Sequence, residues 1–65
     1  MEDKVKTLLK DIEKCTLPFG KFKGETVGDV LIEDRSYIEW MARTEGPSAI
    51  ALRFYLDNED MIWVN

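Results

Sequence analysis

Between Leu17 and Gly24 the chain reads Leu-Pro-Phe-Gly-Lys-Phe-Lys-Gly, and no helix can run through it. Pro18 stops a helix arriving from the N-terminal side, because its ring removes an amide donor and restricts the residue before it. Gly20 and Gly24 admit tight turns that other residues resist. The chain is thereby cut into an N-terminal arm, a loop and a longer remainder, and at 65 residues all three must share one core. Phe19 and Phe22 need burial or a flat-faced partner, while Lys21 and Lys23 must stay in water or meet an anion. Glycine at the first central position marks a type II′ turn, so the stretch predicts a short β-hairpin around residues 17–24. Gly20-Lys21 would be its tip, with Phe19 and Phe22 as cross-strand neighbours.

Either side of this loop the patterning is helical. Val5, Leu8, Leu9 and Ile12 fall on one stripe of a helix over residues 2–15, whose other face alternates acids and lysines. Thr26 reads as an N-cap for a short helix over Thr26–Ile32, buried through Val27, Val30 and Leu31. Gly28 inside it implies a close packing contact or a helix of barely two turns. Ser36-Tyr37-Ile38-Glu39 has the Ser-x-x-Glu form of a capping box and predicts a helix over Tyr37–Thr44, ended by Gly46-Pro47. Ser48 is the expected cap of the next segment, Ala49–Asp57. Helix formers dominate it, although Ile50–Leu56 is also compatible with a buried strand. Met61-Ile62-Trp63-Val64 forms an apolar tail, read as a closing strand or an exposed interaction segment. The expected class is α+β, mostly helical, in a single domain over residues 1–65.

Composition limits what this domain can do. Histidine is absent, which removes the commonest general base and metal ligand. One cysteine, Cys15, allows neither an internal disulfide nor a cysteine metal cluster, and suits a reducing, intracellular setting. No apolar run approaches the length of a membrane span. The net charge of −4 is divided unevenly: residues 1–24 carry +2 and residues 25–65 carry −6. Tight, non-specific coating of DNA is disfavoured by that balance, because such affinity comes mainly from neutralising phosphates. A local basic site remains compatible with it. The acids, among them Asp29, Glu33, Asp34, Glu39, Asp57, Glu59 and Asp60, fall on expected solvent faces or in breaks. Paired carboxylates for metal-assisted hydrolysis would need a dry, shaped cavity, and so small a chain has little room for one. No catalytic residue, cofactor or metal is expected.

The candidate sites are two. Gly20, Lys21, Lys23, Gly24 and Thr26 offer an anion site, with charge from the lysines and amides from the glycines and the helix start. The bland reading makes the glycines a mere turn and both phenylalanines core residues. Phe22, Tyr37, Trp40 and Trp63 are candidate partner-binding residues, since Trp and Tyr dominate binding hot spots. The bland alternative is that they are large core side chains.

Pro18-Phe19-Gly20-Lys21-Phe22-Lys23-Gly24 resembles the Pro-Phe-Gly-Lys-aromatic-Lys/Arg-Gly signature of the exodeoxyribonuclease X C-terminal-like domain. Asp34-Arg35-Ser36-Tyr37-Ile38-Glu39-Trp40 is similar to that family's Asp-x-x-Tyr-x-x-Trp element, and the resemblance runs over about residues 17–46. The helix at 2–15 and the tail at 58–65 lie outside it. In the family the domain is an appendage to a separate nuclease domain, or stands alone in small bacterial and phage proteins. Sixty-five residues leave no room for the nuclease. The resemblance therefore implies a non-enzymatic accessory module in the cytoplasm, or in a host's cytoplasm for a phage protein.

Two functions follow. One is weak, salt-sensitive contact with nucleic acid through the Gly/Lys loop. The other is a small acidic phage-type regulator that binds and inhibits a host protein through its acidic C-terminal half. A homodimer fits either, because a chain of this size has difficulty burying seven aromatic side chains alone.

Overall fold

A computed structural model describes residues 2–63. Its order is α1 (Glu2–Lys14), α2 (Val27–Glu33), α3 (Arg35–Ala42), α4 (Pro47–Asn58) and α5 (Asp60–Trp63). The long loop between α1 and α2 contains Leu17–Gly24. Helix α3 lies against both α2 and α4, while α1 packs on α2, α4 and α5. Leu17, Phe22, Val27, Val30, Ile38, Met41, Ala42 and Leu52 form the continuous core. The loop thus contributes two of its own side chains, Leu17 and Phe22, to the hydrophobic centre. Burying side chains of this kind is worth about 1.5–3 kcal/mol each, which ties the loop to the fold.

The expected α+β class is overturned: among the described residues there is no strand, only one isolated antiparallel bridge, Thr16 to Thr26. The hairpin fails for a local reason. Lys23 N–H donates to Gly20 C=O at 3.1 Å, so the turn is centred on Lys21-Phe22, one residue later than expected. Neither of these residues has positive φ, whereas the primed turns that suit hairpins need it. A second turn follows, Glu25 N–H to Phe22 C=O at 3.0 Å. Phe22 then faces the core while Phe19 is exposed, so the two are not cross-strand neighbours. Pairing moves outward to the base of the loop. There Leu17 N–H meets Glu25 C=O at 2.9 Å, Gly24 N–H meets Leu17 C=O at 3.0 Å, and Val27 N–H meets Cys15 C=O at 2.8 Å.

The helix starts also differ from two expectations. Thr26 caps α2 as expected, its Oγ1 accepting from Asp29 N–H at 3.1 Å. Gly28 answers to both of its readings: α2 has seven residues, and a Cβ there would stand 3.4 Å from the Glu13 carbonyl of α1. The cap of α3, however, is Asp34 and not Ser36. Asp34 Oδ1 accepts from Tyr37 N–H at 3.3 Å, and Ser36 Oγ donates to the same oxygen at 2.6 Å. Ser36 therefore braces the capping carboxylate, and Glu39 pairs with Arg35 at 3.4 Å instead of closing a box. Asp34 ends α2 as well, through its own N–H to Val30 C=O at 2.7 Å.

Helix α4 begins at Pro47 behind Gly46, with no side-chain cap, so Ser48 does not fill the expected role. The segment Ile50–Leu56 is helical, and the strand alternative drops out. The apolar tail is no strand either: Met61 and Ile62 are half-buried in α5, and Val64 lies outside the described residues. Two polar ties hold these helices. Arg35 pairs with buried Glu59 across α3 and the α4–α5 junction. Arg53 Nη1 donates to the Ala42 and Thr44 carbonyls at 3.2 and 3.4 Å, satisfying the C-terminal end of α3.

Candidate functional site

The loop is rigid because its base is closed by backbone hydrogen bonds and its middle is nailed down by Phe22, 8% exposed. Lys21 and Lys23, on either side of Phe22 in sequence, are both exposed. Lys21 Nζ sits 5.2 Å from the centroid of the Phe22 ring, a cation over an aromatic face. Gly20 and Gly24 both have φ of +89°, a region costly for any residue with a Cβ. Gly20 has a second role: a Cβ there would run into the Tyr37 hydroxyl. The loop and α3 therefore meet where a glycine lets a tyrosine rest on the backbone.

From that contact three rings climb outward. Tyr37 meets Phe22 edge-on, with centroids 5.0 Å apart and planes at 73°. Trp40, one turn along α3, lies 5.7 Å from Tyr37 at 42°. Phe22 is the buried foot of the series, Tyr37 is half-buried, and Trp40 is 47% exposed. Phe22 is consequently a core residue and its expected place among partner-binding side chains is corrected; Phe19, 51% exposed, is the loop phenylalanine that faces solvent. Trp63 closes α5, and its side chain lies outside the described residues.

Part of the set of amides expected to cradle an anion is engaged. Those of Lys23, Gly24, Glu25 and Val27 all donate within the loop and its base, and Thr26 spends its hydroxyl on the Asp29 amide. Electrostatics behind the loop point the same way. Hydrogen bonding to Glu33 raises the Glu25 carboxyl above its usual range, helped by partial burial and by the charges of Glu33 and Asp29. Glu25 before α2, Asp29 in its first turn and Glu33 at its end thus put three carboxylates along this helix, where a phosphate would be repelled. At the lysine side, the Ser36 hydroxyl holds Asp34 below the ordinary carboxylate range, with smaller help from the Tyr37 amide and the Lys21 charge. Glu25 was missing from the acids read as significant, because it precedes the helix that carries Asp29 and Glu33 and so falls outside any helical spacing.

With the geometry in place, the comparisons with known proteins can be set against it. Residues 17–45 match the family model described as exodeoxyribonuclease X-like C-terminal. This bears out the resemblance carried by Pro18–Gly24 and by the Asp34, Tyr37 and Trp40 spacing. No curated protein and no solved structure matches the chain. The exodeoxyribonuclease X-like segment, just under half of the sequence, coincides with a physical unit: the loop, α2, α3 and the turn that leads to α4. Its glycines and aromatics explain one another. Gly20 seats Tyr37, Tyr37 covers Phe22, and Trp40 covers Tyr37.

Proposed function

We propose that this chain is a non-enzymatic accessory module that contacts nucleic acid through Lys21 and Lys23. The observation that carries the reading is the closed, core-anchored loop that holds both lysines in solvent. A fixed loop loses little freedom on binding, so two charges suffice for a weak contact despite the net charge of −4. The lysine side chains carry the phosphate contact in this reading, because the Lys23 and Gly24 amides already have partners. The test is binding of a labelled oligonucleotide by the full chain at low and moderate salt. Lys21→Ala with Lys23→Ala is expected to remove most of the affinity and to flatten its salt dependence. Affinity that is unchanged in the double variant and insensitive to salt would overturn the reading.

A second reading, a small acidic regulator of a host protein, is favoured by one observation. Ile32 is 86% exposed on α2, the helix that also carries Asp29 and Glu33. An apolar residue among acids suits a basic protein groove that otherwise holds nucleic acid. Under this reading Ile32→Asp abolishes capture of the protein partner while the lysine double variant captures it normally; the reverse pattern sinks it.

A further inference from the structure

We propose that the nucleic acid is single-stranded and that Trp40 is its base-stacking residue, flanked by Lys21 and Arg43. The inference rests on the nucleic-acid reading above and adds to it a strand class and a second contact element, helix α3. It starts from a tryptophan that a chain this small leaves 47% exposed, at the outer end of a ring series anchored in the core. Tyr37 is fixed below it by the Phe22 edge and by Gly20, so the indole has a firm seat. On the loop side of the series stands Lys21, and one helical turn beyond Trp40 stands Arg43, exposed at the end of α3. A ring series with a cation toward each end, Lys21 at Phe22 and Arg43 past Trp40, matches a polyanion whose bases hang from a charged backbone.

The strand class follows from what each partner can offer. An exposed indole lies flat only on a base whose own face is open, and in a duplex those faces are covered by neighbouring pairs. Of the acids on α3 and its cap, Glu39 is paired with Arg35, and Asp34, which keeps its charge, is occupied by the Ser36 hydroxyl and the Tyr37 amide.

The test uses the full chain and fluorescein-labelled oligothymidylate, the same strand annealed to oligoadenylate, and oligouridylate, read by anisotropy at low salt. Trp40→Ala is expected to weaken single-strand binding about tenfold or more, the range typical of a lost base–aromatic stack. Trp40→Phe is expected to keep most of the affinity, and any residual duplex binding is expected to be the same in all three proteins. Arg43→Ala is expected to lower the salt dependence by roughly the share of one phosphate. Thermal melts of each variant check that it folds, and the Phe variant carries the test if the Ala variant does not. Equal single-strand binding by Trp40→Ala, or duplex bound as tightly as single strand, overturns the stacking proposal. If the lysine double variant still loses affinity in that case, the broader nucleic-acid reading stands. Oligouridylate and oligothymidylate bound alike support stacking as the common contact, whereas a folded wild-type chain that binds none of the three overturns both proposals.

Discussion

Gly20→Ala is expected to destabilise the protein by far more than Gly24→Ala, although the two glycines have the same φ of +89°. An alanine forced to positive φ costs roughly 1–2 kcal/mol at either site. At Gly24 nothing lies within 4 Å of the new methyl, so that backbone cost is the whole effect. At Gly20 the methyl collides with the Tyr37 hydroxyl and stands 3.5 Å from the ring carbon that bears it. Tyr37 cannot swing away freely, because its ring is held between Phe22 and Trp40. Moving it gives up an edge-to-face contact worth about 0.5–1.5 kcal/mol and loosens the cover over Phe22. The expected total is about 2–3 kcal/mol. For 65 residues the whole stability is only about 3–10 kcal/mol, so the change is large. Urea denaturation reads it directly, as a fall in midpoint of about 2–3 M at a slope near 1 kcal/mol per M, against about 1–2 M for Gly24→Ala. Tyr37→Phe supplies the decisive control, because it removes the oxygen that the methyl strikes. In that background Gly20→Ala is expected to cost no more than Gly24→Ala. Equal costs at the two glycines in the wild-type background, or no relief from Tyr37→Phe, would refute the idea that Gly20 is there to seat the tyrosine.

Two further expectations concern titrating groups. Tyr55 is fully buried, and its hydroxyl donates to Glu13 Oε2 at 2.6 Å. Burial first, then the Glu13 hydrogen bond and charge, push its phenol well above the ordinary value of 10.0. Its contribution is therefore complete below about pH 10 and is lost as the pH rises toward the folded value, because only the unfolded chain ionises in that window. Tyr55→Phe is expected to remove this alkaline loss and to cost about 1–2 kcal/mol at neutral pH, both measured by urea unfolding at pH 7 and pH 10.5; an unchanged alkaline profile would count against it. Glu25 is raised above 4.5 chiefly by hydrogen bonding to Glu33, so the stability its proton supplies is present below about pH 4.5 and fades as the pH climbs through the folded value. Glu25→Gln is expected to melt higher than the wild type at pH 7, with the difference closing at pH 4 and shrinking in high salt; equal differences at both pH values would refute the pairing.

The sequence carried more of the helices than of the loop. Val5, Leu8, Leu9 and Ile12 announce α1 by spacing alone, and Thr26 announces the start of α2, because stripes and caps are local features. The loop was misread because its conformation is decided from a distance. Whether Gly20-Lys21 or Lys21-Phe22 forms the turn depends on which phenylalanine the core takes, and the core takes Phe22 because Tyr37, 15 residues later, stands ready to cover it. The cap of α3 was ambiguous for a different reason. Asp34 and Ser36 are both good caps two residues apart, and the choice falls to Asp34 because its own amide also closes α2. In the candidate site, Gly20, Lys21 and Lys23 were legible as a motif, and the exposure of Trp40 was not. An amphipathic helix shows which residues share a face, but not how far the last of them stands out of the core.

That outward position changes where a ligand would be recognised. The glycine-rich loop suggests a backbone cradle for phosphate, yet the backbone hydrogen bonds that close the loop take the amides of Lys23, Gly24, Glu25 and Val27. Stiffness and amide recognition therefore compete here, and stiffness prevails. The binding chemistry shifts to side chains that this stiffness fixes in place: Lys21 and Lys23 on the loop, Trp40 on the helix that the loop supports through Gly20 and Tyr37. The carboxylates of Glu25, Asp29 and Glu33 along α2 make that helix a poor landing for an anion. Under the proposed reading a polyanion would be held at the ring series and not along α2, with charge alone giving a weak hold and stacking supplying the rest.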